Sequence, residues 1–433
     1  MSQKQYTKEI FVKDYFDIHN FYTNIYGKDR TIILMQVGSF HEAYCTDIKG
    51  LNLLDLAQKL DIVCTKKNGS KELGDSNPRM MGFPIHVTHS FIDKLINLNY
   101  TIILIEQTTE PPTPKREITG IYSPATYIEK NNTKNNNLVS LVIDKVKNKI
   151  KDQLCIGIAS YDLATGNGYF LETYSTNNDE LFALDEILRF LSSVPPREIL
   201  LVNKLKEPIA NLTPEEIQSY LQLDNIYEIK LENQEKIKYQ ERILTQIFPQ
   251  DSQISVFESL DLVPYNYSRL ALVNLLEYCL LHQNNILNNI KKPLNFLGDK
   301  FLYLGNRALE QLDVFSRNSG EKGLLNIIDF TKTNLGKRFL YNALCKPLIN
   351  SDEIQKRYAS IEKLLDNENY NSILTFLEDV YDIERLHRRI NIGNLHPYEL
   401  NQMYLSFYQI NNLLLFLKES KLHILHDLSL IHI

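Results

Sequence analysis

Apolar residues along the chain fall into three successive regimes. Up to about residue 130, short apolar runs alternate with stretches of helical period. Ile32-Ile-Leu-Met35 and Tyr100-Thr-Ile-Ile-Leu-Ile105 read as buried strands. Leu53, Leu56, Ala57 and Leu60 recur at i, i+3, i+4, i+7 and predict a helix to about Leu60, with Asp47 as its cap. Ile62-Val-Cys-Thr65 reads as a strand ending in Lys66-Lys67, and the polar stretch Asn68–Pro78, with Gly69, Gly74 and Pro78, as a loop. A short helix capped near Thr88 or Ser90 buries Phe91, Ile92, Leu95 and Ile96. An aromatic-rich amphipathic helix (Tyr6, Phe11, Tyr15, Phe16, Phe21, Tyr22) leads in. Helices alternating with strands over residues 1–130 predict a small mixed α/β domain, and Asn131–Asn137 has the composition of an exposed linker.

The second regime, residues 138–265, opens with strands. Leu138–Ile143 and Cys155–Tyr161 are apolar runs of strand length, and Asp162-Leu-Ala-Thr-Gly166-Asn-Gly168 predicts a hairpin turn returning through Tyr169-Phe-Leu171. Leu181, Leu184, Ile187, Leu188 and Leu191 mark a helix stopped by Pro195-Pro196, and Ile199-Leu-Leu-Val202 is a further strand. This order suits an RNase-H-like α/β fold. Over residues 267–433 the pattern becomes almost purely helical. Leu272, Leu276, Cys279 and Leu280 form one predicted face; Ile354, Tyr358, Ile361, Leu364 and Leu365 form another, entered through an Asn350-Ser-Asp-Glu353 capping box. Pro397 suits the first turn of a long helix carrying Leu400, Met403, Tyr404, Phe407, Ile410 and Leu414. Such patterning predicts an all-α core or lever rather than a compact enzyme core. Leu422–Ile433 carries no stop signal and reads as a truncation within a helical domain.

Composition narrows the class. With 433 residues the chain exceeds one ordinary core. No apolar run reaches the ~18 residues of a membrane span, and the N-terminus lacks the apolar core of a signal peptide. Five scattered cysteines show no metal-ligand spacing, which points to a reducing compartment and buried thiols. A net charge of −6 argues against coating nucleic acid through bulk charge, so any DNA contact must rely on local basic patches and shape.

The candidate chemistry lies in Gln36-Val-Gly-Ser-Phe-His-Glu-Ala-Tyr44. Gly38-Ser39 permits a turn, and in an extended chain Phe40 and Glu42 point to one face. A flat apolar wedge beside a hydrogen-bond acceptor suits probing a base step in DNA. An isolated Phe-x-Glu is equally a core aromatic beside a solvated charge; its weight comes from the surrounding sequence. Asp162 raises a different reading, an RNase-H-like nuclease holding Mg²⁺ on two or three carboxylates, although Asp in a hairpin turn is common for local reasons.

Taken in order, these blocks resemble the N-terminal half of the MutS family of DNA mismatch-repair proteins. Gln36–Tyr44 resembles the family's Met-Gly-Asp-Phe-Tyr-Glu-Leu-Phe block, Leu60–Lys67 its Leu-Asp-Ile-x-Leu-Thr-Lys-Arg, and Met80–His86 its Met-Ala-Gly-Ile-Pro-Tyr-His. Ile105-Glu-Gln107, Ser123-Pro-Ala-Thr126, Asp162–Gly166, Gly323–Asp329, Leu335-Gly-Lys-Arg338 and Asp382-Ile-Glu-Arg-Leu386 continue the likeness over residues 30–410. The resemblance implies a mismatch-binding domain (1–130), a connector (138–265) and part of a helical core or lever (267–433). It implies that Phe40 stacks into the mismatched step from the minor groove, that Glu42 hydrogen-bonds the mispaired base, and that Lys66, Lys67 and Met80 meet the DNA. His41 stands where the family has Tyr, and Ser39 where it has Asp. The implied partners are double-stranded DNA with mismatches or small loops and, in a full-length parent, a second MutS-family subunit in a homodimer or heterodimer. No membrane is implied; the location is intracellular and DNA-associated, its compartment open. The family's ATPase would need a G-x-x-x-x-G-K-[ST] loop; Gly320-Glu-Lys-Gly323 and Gly336-Lys337 lack that spacing. No cofactor and no catalytic activity are therefore expected of this chain, and ATP and Mg²⁺ only of a DNA-dependent ATPase parent. The competing implications are the nuclease and a relative that binds branched DNA.

Overall fold

The structure is a computed structural model. It describes residues 10, 12–110, 112, 114–128, 135–147, 152–209, 212–223, 226–249, 254–296, 301–302, 304, 308–316, 322–366 and 370–419. Tyr6, Phe11, part of the asparagine-rich stretch and residues 422–433 lie outside the described residues.

The first region contains α1 (Tyr15–Tyr26), β1 (Thr31–Val37), β2 (Phe40–Cys45), α2 (Leu53–Leu60), β3 (Thr65–Lys66), β4 (Arg79–Pro84), α3 (Thr88–Asn97), β5 (Thr101–Gln107) and β6 (Arg116–Tyr122). The sheet order is β3-β4-β2-β1-β5-β6, parallel only between β1 and β5. Strand alternation divides its side chains. Ile32, Leu34, Ala43, Met81, Phe83, Ile102 and Leu104 pack under α2 and α3, whereas Ile33, Met35, Tyr44, Ile103 and Ile105 pack under α1. Burial on both faces explains why β1 and β5 are unbroken apolar runs. Two predicted caps are replaced. Asn52, not Asp47, caps α2, accepting from the Leu54 N–H at 3.2 Å, because the helix starts at Leu53 and Asp47 is taken by Arg79. Thr88 and Ser90 do not cap α3; the Thr88 hydroxyl donates to the Ile85 carbonyl at 2.7 Å. The strand predicted over Ile62–Thr65 is only Thr65–Lys66, and Val63 is exposed.

The second region contains β7 (Asn137–Val146), β8 (Gln153–Asp162), β9 (Asn167–Tyr174), α4 (Phe182–Ser193), β10 (Pro196–Asn203), α5 (Pro214–Tyr220), β11 (Ile226–Glu228), α6 (Ile237–Ile247), α7 (Val256–Ser259), α8 (Asn266–His282) and β12 (Leu294–Asn295). Its sheet runs β11-β10-β7-β8-β9-β12: an antiparallel meander β7-β8-β9, with β10 parallel to β7 and β11 parallel to β10. Helix α4 covers one face and α8 the other. The sequence pattern places α8 in the helical third region, starting at residue 267. Instead α8 lies on the second sheet, and β12 adds a strand to its edge. Helix α8 is apolar almost all round, from Leu270 to Cys279, because it is sandwiched between the second sheet and the first region. Its start presses on β8: a Cβ at Gly157 would lie 2.3 Å from the Tyr267 carbonyl carbon.

The third region holds α9 (Ala308–Gln311), α10 (Leu324–Ile328), α11 (Asn334–Cys345), α12 (Ser351–Asp366), α13 (Tyr370–Leu377), α14 (Ile383–Ile392) and α15 (Pro397–Glu419). Asn350 caps α12, accepting from the N–H groups of Asp352 and Glu353 at 2.9 and 3.1 Å. Two predicted buried faces are only partly buried. Tyr358, Ile361 and Leu365 are exposed on α12, as are Leu400, Tyr404 and Phe407 on α15; there the predicted Ile410 is buried as expected, with Ser406, Leu413 and Leu417 beside it. Helical period marks an apolar stripe but does not say which flank meets a neighbour. Charge supplements the small apolar core: buried Arg338 on α11 donates to Asp382 and, at 2.7 Å, to Glu384. Arg388 on α14 reaches the second region, donating from Nε to the Leu163 carbonyl at 3.1 Å and from its other nitrogens to the Asn288 and Ile286 carbonyls. Burial there holds its guanidinium down to about 10.

His282, at the end of α8, is buried against Tyr26 and Tyr278, and its Nδ1–H donates to the Tyr278 carbonyl at 2.7 Å. Burial lowers its pKa from 6.5 to about 4. The unfolded chain then binds the proton more tightly, so stability present above pH 6.5 is lost as pH falls toward 4. The slope contributed by His282 is at most about 1.4 kcal/mol per pH unit. Urea midpoints at pH 7 and pH 5 should converge in His282→Asn relative to the unmodified chain; an equal drop in both would contradict this assignment.

Candidate nucleic-acid interface

The site is built on β2, and strand alternation decides its composition. Phe40, Glu42 and Tyr44 share the α1 face, while His41, Ala43 and Cys45 point to the α2/α3 face. Phe40 opens the strand, paired with Val37 on β1 and Pro84 on β4, and remains 43% exposed. An aromatic half out of water at a sheet end is poorly satisfied by its own fold. Tyr44, at the other end, is buried edge-on against Tyr15, with ring centroids 5.0 Å apart.

Glu42 sits between them, half-buried. The Tyr44 hydroxyl donates to its Oε2. Burial first, and then this bond, push the Tyr44 phenol well above its ordinary range, so it stays a donor. Gly82 pairs with Glu42 from β4, and a Cβ there would lie 3.2 Å from the Glu42 Cγ. Glycine therefore leaves room for the carboxylate side chain. Glu42 keeps acceptor capacity beyond the one bond from Tyr44, because a carboxylate offers about four lone-pair sites.

Lys67 and Met80 complete the row. Met80 pairs with Tyr44 across β2/β4, and the Lys67 ammonium lies 5.4 Å from the Tyr44 ring centroid. Lys66 does not join them. It pairs with Arg79, which pairs with Cys45, and alternation turns all three to the opposite face. Lys66 stands exposed at the sheet edge beside the Arg79–Asp47 ion pair. The loop 68–77 is closed by Asn77, whose side chain accepts from the Asn68 N–H and donates to the Asn68, Lys71 and Glu72 carbonyls at 2.9 to 3.1 Å.

Support for Phe40 comes from Gln36, Gly38 and Gln107, which the sequence reading names within its motifs, and from Arg116, which it does not. Gln36 Oε1 accepts from the Gln107 N–H at 2.8 Å and its Nε2 donates to the Gly38 carbonyl at 3.1 Å. Arg116 Nε donates to the Gln36 carbonyl at 3.0 Å. Gly38 holds a positive φ of 61°, the conformation that lets β1 turn tightly into β2. Alternation alone would have found Tyr44; Gly82 and Arg116 needed the cross-strand register. His41, the departure next to Glu42, is buried on the other face with Nδ1 2.7 Å from the Thr88 hydroxyl, and burial lowers its pKa.

Asp162, the residue behind the nuclease reading, organises its own turn. Its Oδ1 accepts from the N–H groups of Asn136 and Ala164 at 3.2 and 3.0 Å, and its Oδ2 from the Thr165 hydroxyl at 3.0 Å. Among the described residues no group of three His, Cys, Asp or Glu side chains is placed to hold a metal ion. Among them, also, no helix is long and apolar enough to cross a membrane.

Residues 17–131 match the family model for MutS domain I, and residues 307–431 that for MutS domain III. A putative DNA mismatch repair protein of Acanthamoeba polyphaga mimivirus, a mutS homologue, is 33% identical over 92% of this chain and 38% of its own length. The DNA mismatch repair proteins MutS of Petrotoga mobilis and Lachnoclostridium phytofermentans are each 27% identical, over 90% and 85% of this chain and 43% and 37% of theirs. The chain thus spans about two-fifths of the length of these relatives. With the first and third regions matched separately, and the likeness running through the second, the chain belongs to the MutS family.

Proposed function

We propose that this chain recognises mismatched base pairs, or small unpaired loops, in double-stranded DNA, with Phe40 as the wedge and Glu42 as the base acceptor. The observation that carries the reading is the exposed Phe40 ring beside a half-buried carboxylate oriented by Tyr44. Phe40 enters the minor groove and stacks at the distorted step. A mismatched step costs less to unstack and kink than a paired one, so discrimination comes from deformability and is blind to sequence. Glu42 accepts a hydrogen bond from the displaced base. Met80 supplies apolar contact next to it, and Lys67 meets a phosphate or sugar, which fixes register without reading sequence. Lys66 meets the backbone only where DNA wraps the sheet edge.

The first region is read as the mismatch-binding domain, the second as the connector and the third as part of the helical core or lever. Three antiparallel strands followed by two parallel ones support an RNase-H-like connector. The full internal bonding of Asp162 speaks against a nuclease there. Association with a second MutS-family subunit, and use of ATP with Mg²⁺, are proposed for a longer parent. The 433 residues contain no phosphate-binding loop, so no step of this account runs through a nucleotide.

Binding of G·T-mismatched and matched duplexes by the 433-residue chain tests the reading. Phe40→Ala should lose about 1–3 kcal/mol on the mismatch, the range for one base–aromatic stack, and little on the matched duplex. Glu42→Ala should reduce discrimination more than total affinity. Tyr44→Phe, which releases the carboxylate, should do the same to a smaller extent. Lys67→Ala should weaken both duplexes alike and lower the salt slope by about one. Equal losses on both duplexes for Phe40→Ala would sink the mismatch reading.

A further inference from the structure

The turn Ser123-Pro-Ala-Thr126, which follows β6, is gripped from the second region on two sides. Glu198, on β10, is buried. Its Oε2 accepts from the Ser123 hydroxyl at 2.7 Å and the Ala125 N–H at 3.0 Å, and its Oε1 from the Tyr278 hydroxyl of α8 at 2.5 Å. From the other side, Asn136 Nδ2 donates to the Ala125 and Tyr127 carbonyls at 2.6 and 3.2 Å, while its backbone N–H donates to Asp162. The turn is itself braced, the Ser123 N–H donating to the Thr126 hydroxyl at 2.9 Å.

A carboxylate this deep is costly unless its lone pairs are met. Two of its three donors belong to the first region and one to the second, so satisfying them requires one relative placement of the two sheets. Apolar surfaces tolerate small slides; a three-donor carboxylate does not. The placement is passed on through backbone pairing. Strand β6 pairs with β5, β5 with β1, and β1 leads directly into the Gly38-Ser39 turn and Phe40.

We propose that Glu198 is a positioning residue for mismatch recognition, seating the first sheet on the second through the Ser123–Thr126 turn and so setting where Phe40 is presented. Its functional half rests on the mismatch reading of Phe40; its geometric half does not.

Two readouts on the 433-residue chain separate them. Spin labels at the exposed positions 48 and 237, introduced as Ile48→Cys and Ile237→Cys with Cys64→Ser, report the distance between the two regions without DNA. The unmodified Glu198 should give one narrow distribution, Glu198→Ala a broadened or shifted one, and Glu198→Gln a distribution close to the original. An unchanged distribution in Glu198→Ala overturns the proposal. If Glu198→Ala fails to fold, Ser123→Ala, which removes one donor and leaves two, takes its place with a smaller broadening expected. In DNA binding, Glu198→Ala should lower the preference for G·T over matched duplex about threefold to tenfold. In a Phe40→Ala background it should cause no further loss of preference. The same loss of affinity on both duplexes, with preference intact, would mark a merely structural role and overturn the functional half. Absence of mismatch preference in the unmodified chain would count against the Phe40 reading instead, leaving the distance measurement to decide the placement.

Discussion

Strand alternation in β2 is the constraint on which the site depends. Its six residues split between the α1 face and the α2/α3 face, and a shift of one residue would turn Phe40 and Glu42 toward α2 and α3 and His41 and Ala43 toward α1. The register is therefore held on both sides. Val37 and Met35 pair from β1, Pro84 and Gly82 from β4, and the Gln36–Arg116–Gln107 contacts tie the preceding turn to β5 and β6. What leaves Phe40 in water is this register together with its place at the strand end. The backbone at Phe40 is paired on both sides while its ring stays 43% exposed.

The same logic extends outward through buried polar contacts rather than apolar packing alone. Glu198 and Asn136 hold the first region to the second, and the turn that Asp162 organises offers its Leu163 carbonyl to Arg388 of the third. Asn136 bonds both the Ala125 carbonyl and Asp162, so the two junctions share a node. Such contacts have specific geometry and lose much of their value when distorted.

Much of this was legible in the sequence. The apolar runs gave β1, β5, β7 and β8, the Asp-x-x-x-Gly turn gave the β8–β9 hairpin, and alternation placed Phe40 with Glu42 and turned His41 away. Apart from two helix caps and the short strand at Thr65, the failures concerned what packs against what. Helix α8 read as part of a helical bundle because an all-round apolar helix does not announce its neighbour, and here that neighbour is a sheet. Tyr358 and Leu400 lie on stripes of correct period but are themselves exposed. Lys66 and Lys67 are adjacent in sequence, yet only the second belongs to the Phe40 row: Lys66 pairs with Arg79, while the Lys67 ammonium lies over the Tyr44 ring. Gly82 carries no signal of its own in the sequence, yet a Cβ there would crowd the His41 carbonyl and the Glu42 side chain.

The central claim is that Phe40 unstacks a mismatched step. Fluorescence of 2-aminopurine placed next to a G·T mismatch reads that event directly, because the base brightens when its stacking is broken. Fluorescence should rise when the chain binds the mismatched duplex, and should not rise on the matched duplex at equal occupancy or for Phe40→Ala at saturating protein. A rise of equal size with Phe40→Ala would contradict the claim.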